Sequence, residues 1–310
     1  MLILGGTGFI GKHLCEAVSK RGTRAVVASR GPDLSFLAEY APGVAAMSLA
    51  DLSERGDSVF AEYNTLVYLA STSVPATFEQ QPARELSANV APAFEIFDRA
   101  QRANPYLRII FVSSGGTVYG AGHAAPIRES APARPISAYG YGKLATEEAL
   151  RFLGRTRGLS HAILRVSNPV GRWQSNPAHG IVTVALRAAL RGEGIKLFNG
   201  GVQVRDFIDA DDVADAILSV AGSRDYTQST WNIGSGVGRR ILEVVDLVEA
   251  MTGLPIARTN LSGRAVDVPY SVLDCGKAQR ELNWTARTPL EATISSIQRA
   301  WEMAREESLS

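Results

Sequence analysis

Residues 1–18 read MLILGGTGFIGKHLCEAV, and the order of residue types in this stretch decides the fold. An apolar run from Leu2 to Leu4 is followed by Gly5, Gly8 and Gly11 at three-residue intervals, then by a segment with the spacing of an amphipathic helix. That order predicts a strand, a tight turn and a helix. Glycines at these points let the backbone reverse sharply and approach a pyrophosphate, while the helix start offers unpaired amides and the positive end of its dipole. The glycine spacing carries this meaning only between a strand and a helix, which is where it lies. Gly5, Gly8 and Gly11, with Thr7, Phe9 and Ile10 on the same turn, are the expected dinucleotide-binding residues.

The same texture repeats outward. RAVVASR (24–30), NTLVYLAST (64–72), RIIFVSSGG (108–116) and SHAILRVSN (160–168) are short apolar runs ending in small polar residues. Between them DLSERGDSVFAEY (51–63), ARELSANVAPAFEIFDRAQRA (83–103) and ISAYGYGKLATEEALRFLGRT (136–156) have helical character. This alternation predicts an α/β fold whose parallel sheet carries helices on both faces, with strands apolar on both sides because both are covered. Ligands of such sheets bind beyond the carboxyl ends of the strands, where AST, SSGGTVYG and SNPVG fall. From Pro169 the alternation becomes irregular. The reading assigns residues 1–168 and about 201–250 to the dinucleotide-binding domain, and about 169–200 and 251–310 to a smaller, discontinuous substrate-binding lobe.

Formal net charge is +1, from 32 basic and 31 acidic residues, so the basic excess expected of a nucleic-acid binder is missing. No run of about 18 apolar residues is present, and no membrane association is expected. A chain opening directly on its first strand reads as cytoplasmic. Cys15 and Cys275 are too sparse for a disulfide framework or metal cluster. His13, His123, His161 and His179 lack ligand-like spacing, so no metal is expected.

Tyr139 and Lys143 lie four residues apart on a predicted helix, which stacks them on one face. A phenol titrating near ~10 is a poor base at neutral pH, and a neighbouring ammonium favours the phenolate. The pair is therefore the expected centre of proton transfer with a hydroxyl.

Several separated motifs accompany that pair. They are NV at Asn89, SSGGTVYG (113–120), YGYGK (139–143), LRVSNPVG (164–171), VRDFIDADDVADAI (204–217), WNIGSG (231–236), RAVDVPYSVLD (264–274) and RELNW (280–284). In this order, over nearly the whole chain, the sequence resembles the extended short-chain dehydrogenase/reductases, in particular the NAD(P)-dependent nucleotide-sugar epimerase and dehydratase family of UDP-glucose 4-epimerase-like type. The resemblance implies a Rossmann-type doubly wound parallel sheet and a nucleotide-diphosphate sugar as substrate. It also implies that Tyr139 exchanges a proton with a sugar hydroxyl, and that Lys143 lowers the phenol pKa and bonds the cofactor ribose. The family's third catalytic residue is a Ser or Thr at the position held here by Gly115, so Thr117, or else Ser114, must supply the hydroxyl. Asn168, Arg205 and Arg264 occupy family positions that grip the diphosphate, with surface ion pairs to Asp206 or Asp267 as the alternative for the arginines. Phe198 matches a position that packs against the base. Ala70 and Asn89 are placed beside the cofactor, and Asp51 and Leu52 beside its adenine.

Family members that bind NAD end the second strand with an acidic residue, whereas this chain has Ser29 and Arg30. A carboxylate repels a 2′-phosphate and Ser with Arg can bond one, which favours NADP over NAD. The reaction implied is a 4-epimerisation through a transient 4-keto sugar. The alternative is an NADPH-dependent 4-ketoreductase of a nucleotide deoxysugar, and a dinucleotide-binding regulator without turnover is the third reading. The dehydratase chemistry uses an Asp–Glu pair where Gly116 and Thr117 stand. The resemblance also implies a homodimer through helices near residues 83–102 and 138–156, and a place in surface-polysaccharide biosynthesis.

Overall fold

The computed structural model describes residues 1–75, 77–174, 180–223, 228–263 and 267–307, with side chains through residue 303. The opening stretch folds as its glycines dictate, with strand β1 at Leu2–Leu4 and the first helix at Phe9–Lys20. β2 (Val26–Ser29), β3 (Ala45–Ser48), β4 (Thr65–Tyr68), β5 (Arg108–Ser114) and β6 (His161–Val166) follow. The strand Gln228–Ile233 completes a seven-stranded sheet ordered Gln228–Ile233, β6, β5, β4, β1, β2, β3. Every pairing in it is parallel. The chain runs outward from β1 in one direction through β2 and β3, then returns to β4 on its other side. That reversal opens a crevice at the carboxyl ends of β1 and β4.

Neighbouring residues of a strand face opposite sides, and the apolar strands fill both. Ile3 joins the core formed with the first helix and with the helix Ala210–Gly222. Leu2 and Leu4 join the opposite core, with Phe60, Phe97, Leu150 and Leu153. Cys15 lies in the first of these cores, where burial pushes its thiol up to about 12, so it is no nucleophile at neutral pH.

Two small sheets lie outside the seven-stranded one. The strand Val204–Asp209 pairs with Asn168–Val170, Gly238–Arg240 and Tyr270–Ser271, and Ile195–Phe198 pairs with Arg258–Leu261. A third core joins the helices Ile181–Arg191 and Ile241–Thr252 to Leu290, Ile294 and Ile297 of the last helix. Val244, Val245 and Val248, within the 201–250 segment read as dinucleotide-binding, thus pack in this third core. Ala278 and Trp284, from the C-terminal segment read as substrate lobe, pack in the first. No helix among the described residues is long and apolar enough to cross a membrane.

Candidate active site

Gly5 adopts φ +83, and a Cβ there would lie 2.9 Å from the amide nitrogen of Ala70 at the end of β4. At Gly11 a Cβ would lie 2.5 Å from the carbonyl of Gly6, so the first helix can pack on the turn only without a side chain. Gly8 caps that helix and offers no side-chain acceptor to its first amides. With no side-chain cap, the first amides of the helix are available to an anion. The Thr7 hydroxyl donates to Ser29 Oγ at 3.1 Å, tying the turn to the end of β2, and Arg30 beside it is exposed. Phe9 packs edge-on against His13, and Ile10 against the first core. Asp51 lies exposed in a capping box with Ser48, and Leu52 is buried in the second core.

Tyr139 and Lys143 occupy the first turns of the helix Ala138–Arg157, whose start is capped by Ser137 Oγ accepting from Gly140 N at 3.1 Å. At Gly140 a Cβ would lie 2.9 Å from Thr117 O, so this helix start rests directly on the turn Gly115–Val118 after β5. The Ser114 side chain lies beside the Tyr139 phenol and favours its ionised form. Lys143 Nζ donates to Val112 O at 3.1 Å and lies 5.6 Å from the centre of the Tyr139 ring.

In the ligand-free chain burial raises the phenol pKa, Glu85 raises it further, and the Ser114 bond opposes both. Burial pushes the Lys143 amine down to about 8, against the opposing pull of Glu85 and Glu147. Four-residue spacing on a helix predicts an ammonium that lowers the phenol pKa. Here desolvation and a carboxylate that the spacing does not show act on the phenolate, although Tyr139 and Lys143 are each only half-buried.

Gly115 is fully enclosed. A Cβ there would lie 2.6 Å from Leu273 Cδ1 and 2.9 Å from the carbonyl oxygen of Arg165, which closes the position to a serine. Ser114 lies beside the phenol, whereas Thr117 Oγ1 is buried with no hydrogen-bond partner among the described residues. A buried hydroxyl left without a partner is costly, and a ligand oxygen would satisfy it.

Asn168 Nδ2 donates to Asp206 O at 3.0 Å, and its side-chain amide borders Gly116, where a Cβ would stand 3.7 Å from Oδ1. Arg205 and Asp206 are successive residues of one strand and take opposite faces. Asp206 is 0% exposed and accepts from Ser235 N and Oγ, Gly236 N and Leu273 N, so it is a buried tie rather than a surface partner. Arg205 bonds Val204 O at 2.9 Å and stays half-buried. Phe198 ends its strand half-buried, paired in register with Leu261. Arg264 lies outside the described residues.

Asn89 sits in a π-helical turn, Leu86–Val90. Its Oδ1 accepts from Thr72 N at 2.8 Å, and its Nδ2 donates to Ser73 Oγ and to Glu85 Oε1, each at 3.0 Å. It therefore holds the loop after β4, next to Ala70, in place. Glu85 was not singled out in the sequence, where one Glu on a helix reads as a solvated face. It is 2% exposed. The available cue was Gly142, since a glycine inside a helix marks a close approach: a Cβ there would lie 2.5 Å from Glu85 Cγ. No cluster of three or more His, Cys, Asp or Glu able to hold a metal occurs among the described residues.

The profile of the NAD dependent epimerase/dehydratase family matches residues 1–234. The chain belongs to this family. The family's relatives extend over the whole length: UDP-glucose 4-epimerase of Azospirillum brasilense is 31% identical, covering 100% of this chain and 93% of the relative. Among solved structures of similar fold, UDP-glucose 4-epimerase of Thermotoga maritima with UDP-glucose has a TM-score of 0.88 at 28% identity, covering 98% of both chains. MoeE5 in complex with UDP-glucuronic acid and NAD has a TM-score of 0.86 at 29% identity, covering 98% of this chain and 99% of that one. The dinucleotide that the family name implies fits the Gly5–Gly11 turn, where side chains would collide and the helix start has no side-chain cap.

Proposed function

We propose that the protein is a nucleotide-sugar 4-epimerase that acts through a transient 4-keto sugar. The observation that carries this reading is the set of hydroxyls at the ends of β5 and its following turn. The Ser114 side chain lies beside the Tyr139 phenol, and Thr117 Oγ1, without a partner among the described residues, lies on the turn packed against the same helix. Tyr139 would take the proton of the C4 hydroxyl and return it after the ketone presents its other face. Thr117 would hold the C4 oxygen in both stages. A nicotinamide cofactor, when bound, supplies the hydride acceptor and donor, so no net redox change results. Gly5, Gly8, Gly11 and Thr7 would hold its pyrophosphate side, and Lys143 its ribose. Asn168, Arg205, Arg264 and Phe198 would bind the nucleotide diphosphate, Arg205 and Arg264 through charge-assisted bonds.

Ser29 and the exposed Arg30 favour NADP over the NAD present in MoeE5, since neither repels a 2′-phosphate. This is also the observation in favour of a second reading, an NADPH-dependent 4-ketoreductase. Replacing Ser29 with Asp is expected to shift preference toward NAD, measured as the ratio of the two affinities; an unchanged ratio removes the argument. We also propose a homodimer through the helices Ala91–Ala103 and Ala138–Arg157, on which Phe94, Tyr141 and Phe152 are 37, 53 and 46% exposed. A monomeric mass by light scattering would refute it.

The deciding experiment incubates the purified protein with UDP-glucose or UDP-N-acetylglucosamine and no added cofactor. Conversion to the C4 epimer supports the epimerase; stoichiometric NADPH consumption with a 4-keto sugar supports the reductase. Tyr139→Phe should lower turnover by about 10²–10⁴-fold while cofactor binding persists. Unchanged turnover would eliminate both readings.

A further inference from the structure

Glu85 is a buried carboxylate that the reaction outlined above does not use. It ends the short helix Pro82–Glu85, where Oε1 accepts from Ser73 Oγ and from Asn89 Nδ2, each at 3.0 Å. Oε2 is buried with no partner, and Glu85 forms no ion pair among the described residues. A small recess beside it is lined by Tyr68, Ser71, Glu85, Asn89, Lys143 and Thr146. Three local features aim the carboxylate there. Gly142, one residue before Lys143, leaves the space that Glu85 Cγ and Oε1 occupy. Ser73, itself buried, fixes one oxygen. The π-helical turn re-aims Asn89 so that its amide holds the same oxygen, and such turns recur where a helix serves a site.

We infer that Glu85 is a positioning residue for the reaction, the buried counter-charge that holds Lys143 protonated across the recess they share. The inference rests on Tyr139 and Lys143 being the reacting pair. Every other charged or titratable group facing Lys143 is less suited to the task. Tyr139 on the same helix and Tyr68 on β4 are neutral phenols raised by burial. From β5 the Phe111 ring and the Val112 carbonyl, both uncharged, meet it. Glu147, on the next turn of the helix, is already taken by Arg165, Arg151 and Ser113. That leaves Glu85 as the carboxylate with an oxygen to spare. Its charge favours the ammonium of Lys143 and opposes ionisation of Tyr139, so it sets the pH at which the pair works.

The test is Glu85→Gln in the full chain labelled with ¹³Cε-lysine. The chain has five lysines, and Lys143→Met identifies the resonance. The Lys143 titration should move down by at least about one pH unit, as expected for loss of a nearby opposite charge. Both limbs of the kcat profile should move in the same direction, with KM little changed. Glu85→Asp, which keeps the charge, should restore both. A Lys143 titration identical in the wild type and Glu85→Gln overturns the inference, as does a fall in rate with no movement of the pH profile. If Tyr139→Phe instead retains turnover, the assignment of the reacting pair fails, while the lysine titration still reports on Glu85 separately.

Discussion

Placing a serine at position 115, where the family's usual catalytic hydroxyl stands, should harm this protein. A Cβ on Gly115 would lie 2.6 and 3.1 Å from the two methyls of Leu273, and 2.9 Å from the carbonyl oxygen of Arg165. Leu273 could turn only by displacing Val118, Tyr119 and Ile127, with which it forms a small closed core. Arg165 cannot move at all without opening β6, which is paired on both sides, to Ser113 of β5 and to Asn232. Overpacking of this kind costs about 1–3 kcal/mol. For a chain of 310 residues that corresponds to a fall in Tm of roughly 1.5–5 °C. Gly115→Ser and Gly115→Ala should fall alike, because the clash belongs to the Cβ and not to the hydroxyl. Differential scanning fluorimetry measures the shift, and C4 epimerisation of the UDP-sugar measures the activity. A Gly115→Ser protein with unchanged Tm and higher turnover would refute both the steric argument and the assignment of the working hydroxyl to Thr117.

Three further substitutions probe the site. Thr117→Val removes a buried hydroxyl that has no partner in the ligand-free chain, so Tm should hold or rise slightly while kcat falls; equal kcat would return the role to Ser114. Ser114→Ala removes the bond that opposes the rise of the Tyr139 phenol pKa, so the acid limb of the pH–rate profile should move upward, and a fixed limb would contradict the pairing. Gly11→Ala drives a Cβ to 2.5 Å from the Gly6 carbonyl and should abolish cofactor binding, measured by fluorescence titration; retained affinity would show that the turn does not hold the dinucleotide.

Much of the fold was legible because its signals are local. Gly5, Gly8 and Gly11 between an apolar run and an amphipathic one specify strand, turn and helix within eighteen residues. The apolar strands announce burial on both faces, as Leu2 and Ile3 show by entering opposite cores. The small strand Arg258–Leu261 was not legible, since Arg, Thr and Asn give no apolar pattern and its place comes from pairing with Ile195–Phe198. Domain limits were blurred for a related reason: Trp284 and Val248 are apolar in any reading, and only packing says which core each joins.

By itself the sequence determined the helical stacking of Tyr139 and Lys143, the glycine turn, and the departure from the family pattern at Gly115. The tertiary structure alone decided what those residues meet. It put Ser114 on the phenol, left Thr117 without a partner, turned Asp206 inward away from the surface, and brought Glu85 against Gly142 from a distant stretch of chain. The reason is physical. Periodicity and turn chemistry act over a few residues, whereas the charge state of a buried phenol or amine depends on desolvation and on carboxylates that only folding brings near.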